Sequence, residues 1–419
     1  MQDKYNNMSI EELTDILSLT IKQDEENKVA TFLCQLSAFT EDSQFNVLLN
    51  APSSSGKSYI PLEIANLFPS EDVIKIGNCS PTAFFHEQGE YNKETNTTTV
   101  DLSKKILIFL DMPHTGLLEK LRSFLSHDEK IMVSKITDKG QKGGNKTKTV
   151  ILKGYPSVIF CSAGFNIDEQ EQTRFLILSP ESTKEKIEQG INQAIKKAVD
   201  PEGHEKLINS DPRRTLLKER ILDIKEMQIG DIRVSSEDIV RELFMANTNG
   251  LKPRHQRDIK RFISLIKSVA LLNCWWREKT ESGIVANEDD IQEAFKIWEK
   301  ISVSQEMNIS PYVYSIYKEV IIPLWKEKEE KNKTLTFYEG EVLECGITRK
   351  EILQKYYDNY KRPLDTHKLR QDILKSLEVA GLITQEQDPN NKRQSLILPA
   401  IETVEYGVNE SGVTSDAQL

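Results

Sequence analysis

The sequence predicts an α/β protein: a P-loop core on a parallel sheet, a helical lid behind it, and a small helix-and-strand domain at the C-terminus. Three observations predict it. Short apolar runs at 45–50, 106–110, 157–162 and 175–178 alternate with helical segments, the pattern a parallel sheet requires. The first run ends in a loop of small residues that opens into a helix, the strand–loop–helix setting of a P-loop. From residue 182 the pattern turns helical and charged, and from 310 it mixes helix with strand.

Composition narrows the function classes. At 419 residues the chain can hold two or three domains. Apolar residues at 38% and charged residues at 29% fit a globular protein rich in surface helix. No run approaches the roughly 20 apolar residues that a bilayer span needs. The opening residues MQDKYNNMSIEEL lack the apolar stretch of a signal peptide. Cys34, Cys79, Cys161, Cys274 and Cys345 form no CxxC pair. That argues against a zinc site or a disulfide framework and makes the cytoplasm the expected compartment. The net charge of −10 does not suggest wholesale nucleic-acid binding, so any such surface would have to be local.

The elements follow in order. Ser9 with Glu12 three residues on is a capping box. Leu13, Ile16, Leu17 and Ile21 then recur at helical spacing, so 9–39 reads as two helices inside an N-terminal helical segment, 1–40. The core spans 41–181. It includes helices at 59–67 and 117–125, and 131–151 alternates weakly around Gly and Lys, which suggests a hairpin. The lid spans 182–300, with a long helix at 255–278 marked by Ile259, Phe262, Ile263, Ile266, Val269 and Ala270. Residues 310–403 read as a winged helix. It has helices at 348–360 and 365–380 around the turn Lys361-Arg-Pro-Leu, then two strands joined by Pro389-Asn-Asn-Lys-Arg. The acidic tail 404–419 is expected to be disordered.

Residues 51–58 read Ala51-Pro52-Ser53-Ser54-Ser55-Gly56-Lys57-Ser58, against a P-loop pattern of G-x-x-x-x-G-K-[ST]. Ala51 stands where the first glycine would be. Gly56 lets backbone N–H groups turn onto phosphates, and the helix N-terminus, with Tyr59 next in line, adds a favourable field. Lys57 would reach the β- and γ-phosphates of ATP, and Ser58 would ligate Mg²⁺. Asp111 ends the second apolar run about 50 residues on, where a Walker B aspartate would hold the same metal. Met112 follows it in place of a glutamate, and His114 and Glu119 are the nearest groups that could polarise water. Ser162, or alternatively Asn166, could orient that water. Arg174 could leave its own subunit as an arginine finger. Each residue also has a plainer reading: a strand-end aspartate can cap a turn, and Arg174 can pair with Asp168 or Glu169 on the surface.

This order of parts resembles the AAA+ ATPases, and more narrowly the minichromosome-maintenance (MCM) clade and its relatives in bacterial mobile elements. The likeness covers about 40–280 and includes Asn78-Cys-Ser-Pro-Thr-Ala-Phe-Phe-His-Glu, the lysine hairpin and Arg174-Phe175. The segment opening at Arg257 resembles a sensor-2 helix. The resemblance therefore implies that Arg257, with Arg254 as the alternative, reaches ATP bound to an adjacent subunit. The missing P-loop glycine and Walker B glutamate depart from the clade, and only about 40 residues precede the core.

The hairpin carries Lys130, Lys135, Lys139, Lys142, Lys146, Lys148 and Lys153 against one acid, Asp138. A ring of such hairpins would grip a nucleic-acid backbone with strong salt dependence. It has no aromatic residue for base stacking. In the winged helix, His367, Lys368, Arg370 and Gln371 lie where a recognition helix reads a groove, and Lys392 and Arg393 could touch phosphate. The expectation is an ATP- and Mg²⁺-dependent DNA motor, an MCM-like helicase or translocase, working as a homo-oligomer, a hexamer, in replication of a mobile element or phage. Single-stranded DNA would pass the channel and duplex DNA could meet the winged helix, with no membrane involved. The alternatives are an ATPase that remodels a protein partner and an ATP-gated DNA-binding switch.

Overall fold

The four apolar runs lie side by side in one parallel sheet. The computed structural model describes residues 4–80, 89–138, 146–163, 173–248, 250–339, 346–388, 391–392 and 394–400. The chain divides into two compact units, the first ending at Tyr312 and the second starting at Val313. The first unit's early strands are β1 (Val47–Asn50), β2 (Val73–Ile76), β3 (Glu90–Asn92), β4 (Thr97–Asp101), β5 (Ile106–Phe109), β6 (Ile131–Asp138), β7 (Lys146–Lys153), β8 (Ser157–Ser162) and β9 (Leu176–Leu178). The central sheet runs β2-β5-β8-β1-β9, and every pair in it is parallel. The edge strand β2 is not foreshadowed by the apolar pattern.

Both faces of this sheet are covered. Val47, Leu49, Ile106, Ile108, Ile159 and Leu176 face one core, and Leu48, Leu107, Phe109, Phe160 and Ile177 face another. Double burial makes the strands read as unbroken apolar runs rather than as alternating ones. The first core is closed by α1 (Ile10–Leu17) and α2 (Glu25–Ser37), through residues such as Leu13, Leu17, Phe32 and Leu36. Ser9 and Glu12 close the capping box on α1, at 3.1 and 3.0 Å. After the loop comes α3 (Tyr59–Ala65). The second core is closed by α4 (Thr115–Leu125).

A four-stranded sheet, β3-β4-β7-β6, also packs on the second core through Val100, Val150 and Leu152. The expected hairpin is its β6–β7 pair. The parallel β4–β7 pairing is the addition. The run Thr97-Thr98-Thr99 in β4 is too polar to show the alternation of a half-buried strand.

Behind β9 come α5 (Lys184–Val199), α6 (Pro201–Asn209), α7 (Pro212–Met227), α8 (Glu237–Ala246), α9 (His255–Leu272) and α10 (Glu288–Glu306). A small sheet of β10 (Asp231–Val234), β11 (Glu278–Lys279) and β12 (Gly283–Ala286) lies among these helices, so this region is not purely helical. The helix expected over 255–278 ends at Leu272. The Asn273 side chain accepts from Met8 N and donates to Met8 O, both at 2.8 Å. That draws the chain toward the N-terminal segment, and a tight turn at Cys274–Trp276 follows.

The second unit holds α11 (Ile322–Glu339), β13 (Ile347–Thr348), α12 (Arg349–Tyr360), a helix over 366–379, β14 (Ile383–Gln387) and β15 (Ser395–Pro399). The helix over 366–379 contains a π-turn at Leu369–Ile373. The antiparallel sheet has the order β13-β15-β14. Thr348 caps α12 in a second capping box with Glu351. Among the described residues, no helix is long and apolar enough to cross a membrane. The tail 404–419 lies outside the described residues.

Candidate nucleotide site

The loop after β1 is shaped by two residues with positive φ, Ser54 at 64° and Gly56 at 92°. Such turns rotate successive N–H groups toward one side, a concavity suited to anions. Nothing crowds the Gly56 Cα, so the positive φ itself calls for glycine there. Ala51 has no such conformation. It is fully buried, and its N–H donates to Ser162 O at 3.1 Å, continuing the β1–β8 ladder. That explains why alanine can stand where the motif has glycine. The Ser55 hydroxyl is buried with no hydrogen-bond partner among the described residues, so the loop holds a polar group for an oxyanion to meet. Pro52 is buried and Ser53 exposed. Tyr59 points away: its N–H is bonded to Gly56 O at 2.9 Å, and its hydroxyl donates to Thr20 O at 2.9 Å. Lys186, which sequence reasoning did not single out, sits 3.4 Å from Ser55 O and ion-pairs with the buried Asp24.

Three strand ends meet at one level. Asn50 is in register with Ser162. Phe109 is in register with Phe160, which brings Asp111, two residues on, level with Ser162. Because β8 lies between β1 and β5, Asp111 is two strand spacings from β1, roughly 10 Å. The pivot is Cys161, fully buried, whose thiol donates to Lys57 O at 3.4 Å. Burial pushes its pKa up to about 11. The Ser58 hydroxyl and the Lys57 ammonium oppose that shift, and the Asp111 carboxylate adds to it. Ser58 has no capping bond on α3, and Asp111 is exposed. Two hard oxygen donors are what Mg²⁺ takes from a protein when phosphates and water fill its remaining positions, so the residues fit that ion.

His114 is otherwise engaged. Its Nδ1 accepts from Gly116 N at 3.1 Å and caps α4. Glu119 is exposed on α4. Asn166, Asp168 and Glu169 lie outside the described residues.

Arg174 and Arg257 stand at the opposite end of the sheet. Leu176 is level with Val47, so Arg174 falls six residues short of Ala51 along the strand direction, roughly 20 Å. Arg174 Nε donates to Ser126 Oγ at 2.9 Å. It lines a cavity of about 250 Å³ together with Arg257, Lys260 and Arg261. Arg257 is exposed and bonds the Thr173 hydroxyl. Arg254, the alternative, is buried against Asp258 at 2.7 Å and held by Asn308 at 3.1 Å. Arg261 bridges Asp258 to the Thr173 carbonyl. The positive field is felt by His127 nearby, whose pKa falls to about 4, first from burial and then from Arg261 and Lys260. Arg261 and Thr173 were missed in the sequence, although the Arg257–Arg261 spacing puts both on one helix face.

Lys135 and Lys148 lie on opposite faces of the β6–β7 ladder, since Lys135 pairs with Thr149 and Lys148 with Ile136. The described residues include Lys146 only as backbone, and Lys139 and Lys142 lie outside them, as does Arg393. In the second unit His367, Lys368, Arg370, Gln371 and Lys392 are all exposed.

The chain matches no family model and no curated protein. Among solved structures it is similar to a full-length MCM homolog from Methanopyrus kandleri, with 12% identity and a TM-score of 0.42, over 71% of this chain and 61% of that one. It is also similar to a candidate ATPase from Cytophaga hutchinsonii ATCC 33406, with 12% identity and a TM-score of 0.35, over 70% of this chain and 85% of that one. The chain thus spans less than two thirds of the MCM homolog's length. Likenesses this loose carry no function to this chain.

Proposed function

We propose that this chain is an oligomeric, Mg²⁺-dependent ATPase that works on DNA as an AAA+ motor of MCM-like type. The observation that carries the ATPase reading is the strand register that sets Asp111 level with Ser162 beside the loop after β1, where the Cys161 thiol bonds the Lys57 carbonyl. Gly56 and Ser54 turn backbone amides toward the phosphates, and Lys57 supplies a point charge to the terminal ones. Ser58 and Asp111 hold Mg²⁺, which supplies charge neutralisation to the transferring phosphoryl group. Ser162 orients the attacking water. Arg174 and Arg257 complete a neighbour's site, because the sheet separates them from their own P-loop. The hexamer is the proposed ring.

DNA is the proposed track. Lys135 and Lys148, with Lys139, Lys142 and Lys146 in the same segment, would hold single-stranded phosphates. The second unit, read as a winged helix, would present Lys368 and Arg370 to a duplex. Replication of a mobile element or phage is the proposed setting, and the cytoplasm the proposed compartment.

A second reading has its own support. His114 is used as a cap, and Met112 follows Asp111 where a glutamate would polarise water. Turnover would then be slow, and the chain would act as an ATP-gated DNA-binding switch.

The deciding experiment is ATP turnover with and without single-stranded DNA, for the native chain and for Lys57→Ala. Stimulation by DNA that vanishes in the variant supports the motor. Tight ATP binding without turnover supports the switch. Turnover indifferent to DNA overturns both in favour of a protein remodeller.

A further inference from the structure

Arg214, on α7, is a buried cation that nothing holds. It is 4% exposed, and its Nε and Nη1 meet no hydrogen-bond partner among the described residues. The other buried arginines among those residues are all engaged. Arg220 donates to Leu272 O at 2.9 Å, Arg261 to Asp258 and Thr173 O, and Arg277 to the two Asp290 oxygens at 2.6 and 2.7 Å. A charge taken out of water without a counter-charge is costly, and native chains leave few buried polar groups unanswered.

The Arg214 guanidinium lines a cavity of about 400 Å³ bounded by α3, α5, α6 and α7, within the range of small-ligand sites, roughly 300–1,000 Å³. Lys218, one turn further along α7, lines the same cavity. Burial lowers the Lys218 pKa, and the nearby Arg214 lowers it further, so two cations share one space and repel. The acids in the wall do not answer them. Glu63 lies 3.9 Å from Lys197, and Glu205 is exposed. They act on Arg214 and Lys218 through space only.

The rest of the wall is polar. On the inner side of α5, Gln193 donates to Thr20 O at 2.7 Å and lies 3.2 Å from the Tyr59 hydroxyl. On the outer side, Ile187, Ile191 and Ile195 are each 53% exposed. Asn66 and Asn209 add amides that both donate and accept.

We propose that this cavity is a second anion site, separate from the loop after β1, and that it takes a small phosphate monoester with its phosphate on Arg214 and Lys218. A phosphate monoester carries close to two negative charges near neutral pH, which matches two cations, and guanidinium–phosphate hydrogen bonds are among the strong ones. A monocarboxylate would leave one cation unanswered. The remaining space and the amides suit the organic part of the ligand. None of residues 51–58 lines the cavity, so the site is not the nucleotide loop. Tyr59 does line it and directly follows Ser58, so an occupant would steady the start of α3.

The test is isothermal titration calorimetry on the full chain carrying Lys57→Ala, which disables the nucleotide loop in every arm. The result therefore does not turn on whether that loop hydrolyses ATP. The probes are inorganic phosphate, adenosine monophosphate and glucose 6-phosphate, with succinate as the control. Phosphate or an ester of it should bind saturably. Adding Arg214→Met should weaken that binding about tenfold or more, the scale of lost hydrogen bonds to a charged group, and Lys218→Gln should act in the same direction. A preference between the two esters tells a nucleotide from a sugar phosphate. Binding of none of the three phosphates, binding indifferent to Arg214→Met, or succinate bound as tightly as the esters overturns the proposal. Thermal unfolding without ligand checks the fold. Replacing an unpaired buried charge with an apolar side chain should leave the midpoint unchanged or higher. A clearly lower midpoint for Arg214→Met would mark Arg214 as a structural residue and overturn the proposal as well.

Discussion

The thiol of Cys161 sits 3.4 Å from the carbonyl oxygen of Lys57. This contact ties the strand between β1 and β5 to the loop that ends β1, so nucleotide binding should be felt at a cysteine that takes no part in chemistry. The thiol keeps its proton in the folded chain to about pH 11 and loses it lower when unfolded. It therefore contributes stability that is present below the unfolded pKa and lost as pH rises through about 11. Iodoacetamide should label Cys161 far more slowly in the native chain than in urea at pH 8. Saturating ATP should slow that labelling further, and peptide mass analysis would read both effects.

Lys57→Ala should lower ATP turnover by about two orders of magnitude or more, the scale seen when a charge partner of the transition state is removed. Asp111→Asn should leave ATP binding without metal nearly intact and raise the Mg²⁺ concentration needed for half-maximal turnover. A steady-state rate assay across a Mg²⁺ titration distinguishes the two residues.

Arg254 and Arg257 should separate by readout. Arg254 is buried against Asp258, which Arg261 also holds, so Arg254→Ala should cost about 1.5–3 kcal/mol of stability, the scale for losing hydrogen bonds to a charged group. Exposed Arg257 should cost less than about 0.5 kcal/mol when replaced by alanine, yet turnover should collapse. Urea denaturation paired with an ATPase assay checks both. An Arg257→Ala chain with native turnover would end its proposed role.

The hairpin lysines predict a salt slope. Removing Lys135 or Lys148 should weaken single-stranded DNA binding regardless of sequence. It should also flatten the plot of log affinity against log salt by about 0.7 for each phosphate that is no longer neutralised. Fluorescence anisotropy with two unrelated oligonucleotides at four salt concentrations would measure it. Because the two side chains leave opposite faces of the ladder, the double variant should show the sum of the two effects.

Stability of the first unit should depend on an aromatic column. Phe109 stacks on Phe160 at 4.7 Å, and Phe160 meets Phe175 edge-on at 5.0 Å. Phe160→Ala should cost about 3–5 kcal/mol. Phe160→Leu should recover much of that loss in thermal unfolding, since an apolar side chain still fills most of the space.

The parts legible in the sequence are those whose physics is local. Strands β1, β5, β8 and β9 were readable because both their faces are buried, and Asp111 and Ser162 because they terminate such strands. Ser9 and Glu12 were readable because a capping box spans only four residues. The edge strand β2 and the threonine-rich β4 were not, because their pairing depends on distant partners and their faces are polar or half-wet. The end of α9 was misread because Asn273 bonds Met8, 265 positions away. The links of Cys161 to Lys57 and of Arg261 to Thr173 are likewise products of tertiary folding. Helix α5 shows the opposite failure: its period is plain in the sequence, but periodicity does not reveal which face turns inward.

The placement of Lys57 at one end of the central sheet and Arg174 at the other has an arithmetic consequence. Under the proposed action of Arg174 on a neighbour's nucleotide, each chain carries two half-sites that do not meet within it, so an open row of copies would have one working site fewer than it has chains. A lone copy has none, a pair works at half capacity, and only a closed circle loses nothing. The last copy to join completes two sites at once, so output per chain should climb more steeply than occupancy as the circle closes.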